Sequence, residues 1–213
     1  MYSPAAFVEE RPELLHGLIR DYPLGMLIAG AGGAVSADLI PFILYPGEGG
    51  AEGEHGVLRA HVARANPLHE ALLASGECLV VFQGAQAYVS PSWYAGKAEH
   101  HKVVPTWNYA MVQARGTARV VDDGAWLWRL LNDLTAMQEA ALPQPWQPSD
   151  APRDFIEATM KAIVGIEIPL ASLSGKWKVS QNRNAADRAG VVQGLRSQPG
   201  GQAVAALVAA TLK

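Results

Sequence analysis

Two short clusters of polar and aromatic residues stand inside stretches that otherwise have the composition of buried strand. The first is Ser90-Pro-Ser-Trp-Tyr94, with Lys97 just beyond it; the second is Pro105-Thr-Trp-Asn-Tyr109. Their flanks are apolar: Leu79-Val-Val-Phe82 and Ala87-Tyr-Val89 before the first, Val103-Val104 and Ala110-Met-Val112 around the second. Hydroxyl, amide and indole N–H groups placed in such surroundings need hydrogen-bond partners. The clusters can therefore bond each other or line a pocket for a flat polar ligand, and the pocket is the reading preferred here. In an unbroken strand Thr106, Asn108 and Ala110 share one face, and Trp107, Tyr109 and Met111 the other. Thr106 and Asn108 could then donate to the polar edge of a ring while the aromatics anchor the sheet; Trp107 and Tyr109 equally read as plain core, which is compatible with either picture.

A second kind of chemistry is suggested at the end of Val57–Arg64. Arg64 is followed by Asn66, a good N-cap, and Pro67, a good first helical residue. A cation next to a helix start suits a phosphate, because free backbone N–H groups and the helix dipole both favour an anion. The same residues also describe a plain strand-to-helix corner with a surface arginine, and the sequence leaves both open. Between Lys176 and Arg196, five basic residues (Lys176, Lys178, Arg183, Arg188, Arg196) face one acid, Asp187. That segment reads as a solvated basic face, an anion site or a surface turned toward DNA.

Other chemistries find little footing. His100 and His101 are adjacent, so in an extended chain they point apart, and no further His, Cys or carboxylate stands at ligand spacing; no metal site is expected. There is no Walker loop, no Gly-x-Gly-x-x-Gly at a strand–helix junction and no nucleophile elbow. Cys78, in the run Cys78-Leu-Val-Val-Phe82, reads as a small core residue. No catalytic residue can be named.

The elements that must position these residues follow from periodicity. Leu14, Leu15, Leu18 and Ile19 predict a helix over Glu9–Tyr22. Strands are predicted at Leu24–Ala29 and Ala37–Tyr45, with a turn at Gly30–Gly33 and with Pro41 at a bulge or free edge. A flexible acidic loop follows over Pro46–Gly56, then the strand to Ala65 and a short helix to Leu73. Glu77–Gly84 and Gln86–Ser90 read as a hairpin around Gly84-Ala85. Val103–Val121 is the longest strand, with Gly116 at a bulge. Trp126, Leu127, Leu130, Leu131, Leu134 and Met137 form a helical stripe ending at Leu142-Pro143, capped by Asp122 or Asp123. A helix over Pro152–Ile163, a strand over Val164–Leu170, an alternating segment from Gly175 to Arg183, and helices around Ala185–Leu195 and Gly201–Leu212 complete the chain. The class is mainly β with flanking helices, α+β, in one domain over residues 1–213. Its sheet takes roughly 24–121 and 164–183, and its helices roughly 9–22, 123–142, 152–163 and 185–212.

The chain has 213 residues, 49% apolar and 17% charged, with a net charge of −3. It is a folded protein of ordinary domain size, and its charge argues against non-specific coating of nucleic acid. Its single cysteine allows no intrachain disulfide. The start Met1-Tyr-Ser-Pro lacks the features of a signal peptide, and no apolar run approaches the ~20 residues of a membrane span. A soluble cytoplasmic protein with no membrane partner is expected.

Seven blocks together resemble the PaiB family. They are Met1-Tyr-Ser-Pro-Ala-Ala-Phe7, Tyr22-Pro-Leu-Gly25, His61-Val-Ala-Arg-Ala-Asn-Pro67, Val81-Phe-Gln-Gly84, Tyr88-Val-Ser-Pro-Ser-Trp-Tyr94, Val104-Pro-Thr-Trp-Asn-Tyr109 and Gly175-Lys-Trp-Lys-Val-Ser-Gln-Asn-Arg183. The resemblance implies an FMN-binding split β-barrel related to pyridoxamine-phosphate oxidases, a homodimer with flavin at the subunit interface, and the family label of negative transcriptional regulator. Under that resemblance Arg64 with Asn66, and Lys178 or Arg183, are candidates for the FMN phosphate. Ser90, Ser92, Thr106, Asn108 and Gln181 are candidates for ribityl hydroxyls and ring edges. Trp93, Tyr94 and Trp107 would wall the ring, and Lys97 joins the contact set.

Three functions follow from these observations: a flavin-binding regulator responding to flavin or ligand state, a flavin-dependent oxidoreductase acting on a small molecule, or a DNA-binding repressor using residues 176–196. DNA as a partner has no recognisable helix-turn-helix behind it.

Overall fold

A computed structural model of the protein describes residues 1–31 and 33–212. In chain order the elements are β1 (Val8–Glu9), α1 (Pro12–Asp21), β2 (Leu24–Ala31), β3 (Ala34–Pro41), β4 (Ile43–Tyr45), β5 (Val57–Ala63), α2 (Leu68–Ser75), β6 (Glu77–Val89), α3 (Lys97–His100), β7 (Thr106–Thr117), β8 (Arg119–Val121), α4 (Gly124–Glu139), α5 (Arg153–Met160), β9 (Ile163–Lys178), α6 (Ala185–Arg196) and α7 (Gln202–Ala210). The sheet order is β3-β2-β6-β7-β9-β5-β4, with β1 and β8 each paired to β9. The registers of β2 with β3 and β6, and of β5 with β4 and β9, are antiparallel. The class is the expected one, a mainly antiparallel sheet with flanking helices.

The chain divides into two compact units: unit 1 holds 1–18, 83–112 and 174–213, and unit 2 holds 19–82 and 113–173. The long strands β6, β7 and β9 each contribute residues to both.

Unit 2 is built on alternation. In β5, Leu58, Ala60 and Val62 are buried, and in β9 so are Val164, Ile166, Ile168 and Leu170. Gly25 lets β2 approach its neighbours, since a Cβ there would stand 2.7 Å from Phe82 Cε1, and Phe82 meets Phe42 edge-on at 5.8 Å. In α4 the buried Leu127, Leu130 and Leu134 recur at helical spacing, and Asp123 caps the start by accepting from the Trp126 N–H at 2.6 Å. Unit 1 centres on Val89, Tyr94 and Val179, which pack with Val191, Val192 and Leu195 of α6 and with Val204, Ala205 and Val208 of α7.

Several boundaries differ from expectation, each for a physical reason. No hairpin turns at Gly84-Ala85: β6 runs unbroken, and Gly84 serves close packing, because a Cβ there would lie 2.9 Å from Leu18 Cδ1. Gly116 is likewise inside β7, where a side chain would run into the Pro169 carbonyl; the break falls at Ala118. The strand expected over Val164–Leu170 continues to Lys178. The alternation from Gly175 to Arg183 then stops, because Ser180 takes φ 64° and the chain turns. The first helix is Pro12–Asp21 instead of 9–22, the fourth stops at Glu139 instead of 142, and the fifth covers Arg153–Met160 instead of 152–163. The two C-terminal helices are the expected pair, the second ending at Ala210 instead of Leu212. Ala37–Tyr45 is divided between β3 and β4, with Pro41 closing the edge strand. The turn expected at Gly30–Gly33 falls partly on Gly32, outside the described residues.

Candidate functional site

The first group of polar residues lies in unit 1 where β6, β7 and β9 end. Lys178 donates from Nζ to the Thr106 hydroxyl and, at 2.8 Å, to the Trp107 carbonyl. Burial lowers the pKa of this ammonium below the usual lysine value. Trp107 is not the core anchor that strand alternation suggested. The residue is 49% exposed, its ring stands edge-on to Tyr88 with centroids 6.1 Å apart, and its indole N–H donates to Gln86 Oε1 at 2.6 Å. An ammonium, a hydroxyl, an amide and two half-open aromatic rings thus occupy one neighbourhood.

Beneath them Asn108 is buried, with Nδ2 donating to Ser180 Oγ at 2.8 Å, while its Oδ1 has no partner among the described residues. Gln181 folds back on the turn: its Oε1 accepts from the Val179 N–H at 2.8 Å and its Nε2 donates to the Trp177 carbonyl. Asn108 and Gln181 therefore shape the turn after β9.

The second group is the arm from Ser90 to Lys97. Ser90 Oγ accepts from the Ser92 N–H at 3.2 Å and starts a short 3₁₀ turn over Pro91–Trp93. Lys97 Nζ donates to Ser92 Oγ at 3.1 Å, and both side chains are exposed. Tyr94 is buried, its hydroxyl has no hydrogen-bond partner among the described residues, and the Arg183 guanidinium lies 4.8 Å over its ring. Burial raises the Tyr94 pKa, with Arg183 opposing the rise.

Arg64 and Asn66 lie in unit 2. The Arg64 guanidinium pairs with Asp122 through Nη1 to Oδ2 at 2.9 Å and Nη2 to Oδ1 at 2.7 Å. It also donates to the Lys161 and Ile163 carbonyls at 3.1 and 3.2 Å. Asn66 Oδ1 accepts from the Leu68 N–H at 2.9 Å, and its Nδ2 donates to Asp38 Oδ1 at 3.3 Å. Four of the five cations between 176 and 196 also meet groups of their own unit. Besides Lys178 and Arg183, Lys176 donates to the Tyr2 carbonyl at 3.1 Å and lies 5.6 Å from the Tyr109 ring, and Arg188 donates to the Thr211 carbonyl.

Gln86, Tyr88 and Asp187 escaped the sequence reading. Gln86 and Tyr88 precede the Ser90 cluster at period two, so strand alternation over Gln86–Ser90 already placed them on one face; that this face meets Trp107 is a tertiary fact. Asp187 accepts from the Gly96 N–H at 2.9 Å, a pairing across 91 residues that no local pattern announces. Among the described residues no group of three or more His, Cys, Asp or Glu could hold a metal, and no helix is long and apolar enough to cross a membrane.

Comparison with known proteins shows the family and the fold. The family model described as "Putative FMN-binding domain" matches residues 1–172. An uncharacterized protein of Emericella nidulans, AN0679, is 37% identical over 228 residues, covering 92% of this chain and 91% of its own. Protease synthase and sporulation protein PAI 2 of Bacillus subtilis is 29% identical over 220 residues, covering 100% of this chain and 99% of its own. Among solved structures, the flavocytochrome Anf3 of Azotobacter vinelandii superposes with a TM-score of 0.58 at 16% identity, over 80% of this chain and 69% of that one. The fold is the split barrel of flavin-binding proteins.

Proposed function

Since the chain belongs to the PaiB-type FMN-binding domain family and its cofactor is FMN, we propose that it is a flavin-binding regulatory protein that holds the flavin against the open ends of β6 and β7. The observation that carries this reading is Lys178, half-buried and hydrogen-bonded to Thr106 and the Trp107 carbonyl beside the half-exposed Trp107. Trp107 and Tyr88 would wall the isoalloxazine, and Lys178, Thr106 and Gln86 would meet its polar edge or the ribityl hydroxyls. Bound FMN supplies one- and two-electron redox chemistry; the chain's part is to orient the ring and shield it from water.

The regulatory half of the proposal draws on PAI 2, whose name ties that relative to protease synthesis and sporulation. Direct DNA binding through residues 176–196 is the weaker reading, because four of those five cations are already directed at carbonyls and rings of unit 1. A second copy of the chain is the proposed partner. Leu24, Met26, Val35 and Leu39 are 54%, 41%, 75% and 61% exposed, and the register pairs Met26 with Leu39. That makes a broad apolar face on an edge hairpin, the kind of surface that homodimers cover.

The test is a titration of the purified protein with FMN, followed by quenching of flavin fluorescence. Lys178→Met should weaken FMN binding about tenfold or more, the loss expected for one charge-assisted hydrogen bond. Unchanged affinity would remove Lys178 from the site, and no binding by the unaltered protein would remove the flavin reading.

A further inference from the structure

The Ser90–Lys97 arm has two unlike sides. Outward it presents Lys97 Nζ and Ser92 Oγ, 3.1 Å apart, an ammonium–hydroxyl pair suited to anionic oxygen. Inward it is fastened to α6 at three points. Trp93 lies across Gly194, where a Cβ would overlap the indole ring, and its carbonyl sits against Gly190, where a Cβ would overlap it too. Gly190 and Gly194 are one helical turn apart, so they cut a single notch in α6. The third point is the buried Asp187 carboxylate, which accepts from the Gly96 N–H, one residue before Lys97. Helix α7 backs α6 through Val204, Ala205 and Val208. All of α6 and α7 follows residue 172, where the family match ends.

On the flavin reading above, we propose that the α6–α7 hairpin is a positioning device. The notch at Gly190 and Gly194 and the Asp187 clamp fix the arm so that Lys97 and Ser92 receive the FMN phosphate. They thereby set the preference for phosphorylated over unphosphorylated flavin. Asp187, Gly190 and Gly194 act through the arm and touch no ligand. Glycine inside a helix is less favourable than alanine, and the seating of Trp93 explains why α6 carries two.

The experiment compares dissociation constants for FMN and riboflavin, which differ only in the phosphate. The unaltered protein should prefer FMN by at least about tenfold. Gly194→Ala and Asp187→Ala should each lower that preference about tenfold while riboflavin affinity stays within about twofold. Lys97→Met should match that loss, and Lys97→Met with Gly194→Ala should add nothing further. Asp187→Asn, which keeps the acceptor oxygen, should retain the preference. Circular dichroism and melting curves check that each variant folds; if Gly194→Ala does not, the Asp187→Ala and Asp187→Asn pair decides. Equal losses for FMN and riboflavin would reduce the hairpin to a structural support and overturn the proposal. So would an unchanged preference in a folded Asp187→Ala protein that still binds FMN. If the unaltered protein binds no FMN, it is the flavin reading itself that falls.

Discussion

The Asn108 amide reaches the Ser180 hydroxyl at 2.8 Å, joining residues 72 apart in sequence. The contact fastens the middle of unit 1 to the turn that ends β9. Ser180 stands at φ 64°, a left-handed conformation that costs a non-glycine residue roughly 1 kcal/mol or more. Asn108→Ala should destabilise the protein by about 1–3 kcal/mol, since it strips a buried hydrogen bond. Ser180→Gly relieves the backbone and loses the same bond, so its net effect should be smaller. Urea denaturation of both single variants and the double should give a coupling of about 0.5 kcal/mol or more; strictly additive effects would dissolve the pairing.

His61 lies on β5 opposite Gly165, with Nδ1 buried and unpartnered among the described residues. Burial lowers its pKa below 6.5. The unfolded chain therefore takes up a proton at higher pH than the folded one, and stability is lost as pH falls from about 6.5 toward the depressed folded value. The Glu9 and Asp122 carboxyls are held below their ordinary values by Arg11 and Arg64, so their contributions vanish only in more acidic solution. The urea midpoint should fall between pH 7 and 5, and His61→Leu should flatten that slope. An identical slope in the variant would assign it to other groups.

Gly165 lies directly beneath Trp126, and a Cβ there would penetrate the ring. Gly165→Ala should cost about 1–3 kcal/mol through overpacking, visible as a lowered melting point. Trp126→Leu in the same chain should return part of the loss; no recovery would mean that the strain is in the backbone.

The apolar hairpin face predicts an association change. On the proposed pairing of two copies, the unaltered protein should sediment as a dimer, and Leu39→Glu, at a residue 61% exposed in one chain, should sediment as a monomer with the same far-ultraviolet spectrum. A variant that remains dimeric would exclude this face as the contact.

What the sequence conveyed well was periodic. The stripe in α4, the helix after Asn66-Pro67 (which begins at Leu68, one residue later than expected) and the strand character around Phe82 and Val112 follow from spacing and capping alone. Glycine misled in two places: Gly84 and Gly116 were read as turn and bulge. Both permit close packing inside a strand, and the partners Leu18 and Pro169 are remote in sequence. Strand alternation alone leaves Trp107 between core anchor and ring wall; its indole lies half-exposed with Gln86, a partner 21 residues away that alternation does not reveal. The Asp187–Gly96 bond and the seat of Trp93 on α6 depend on contacts across about ninety residues, where no local periodicity operates.

Cys78 is buried on β6, donates to the Gly116 carbonyl at 3.5 Å, and has its thiol pKa pushed up to about 12 by burial. Thiolates, not thiols, are the reactive form, so the chain's sole sulfhydryl stays silent toward alkylating and oxidising reagents near neutral pH. A fluorophore or spin label attached through a newly introduced surface cysteine would therefore report from one known position, with the native residue left in place.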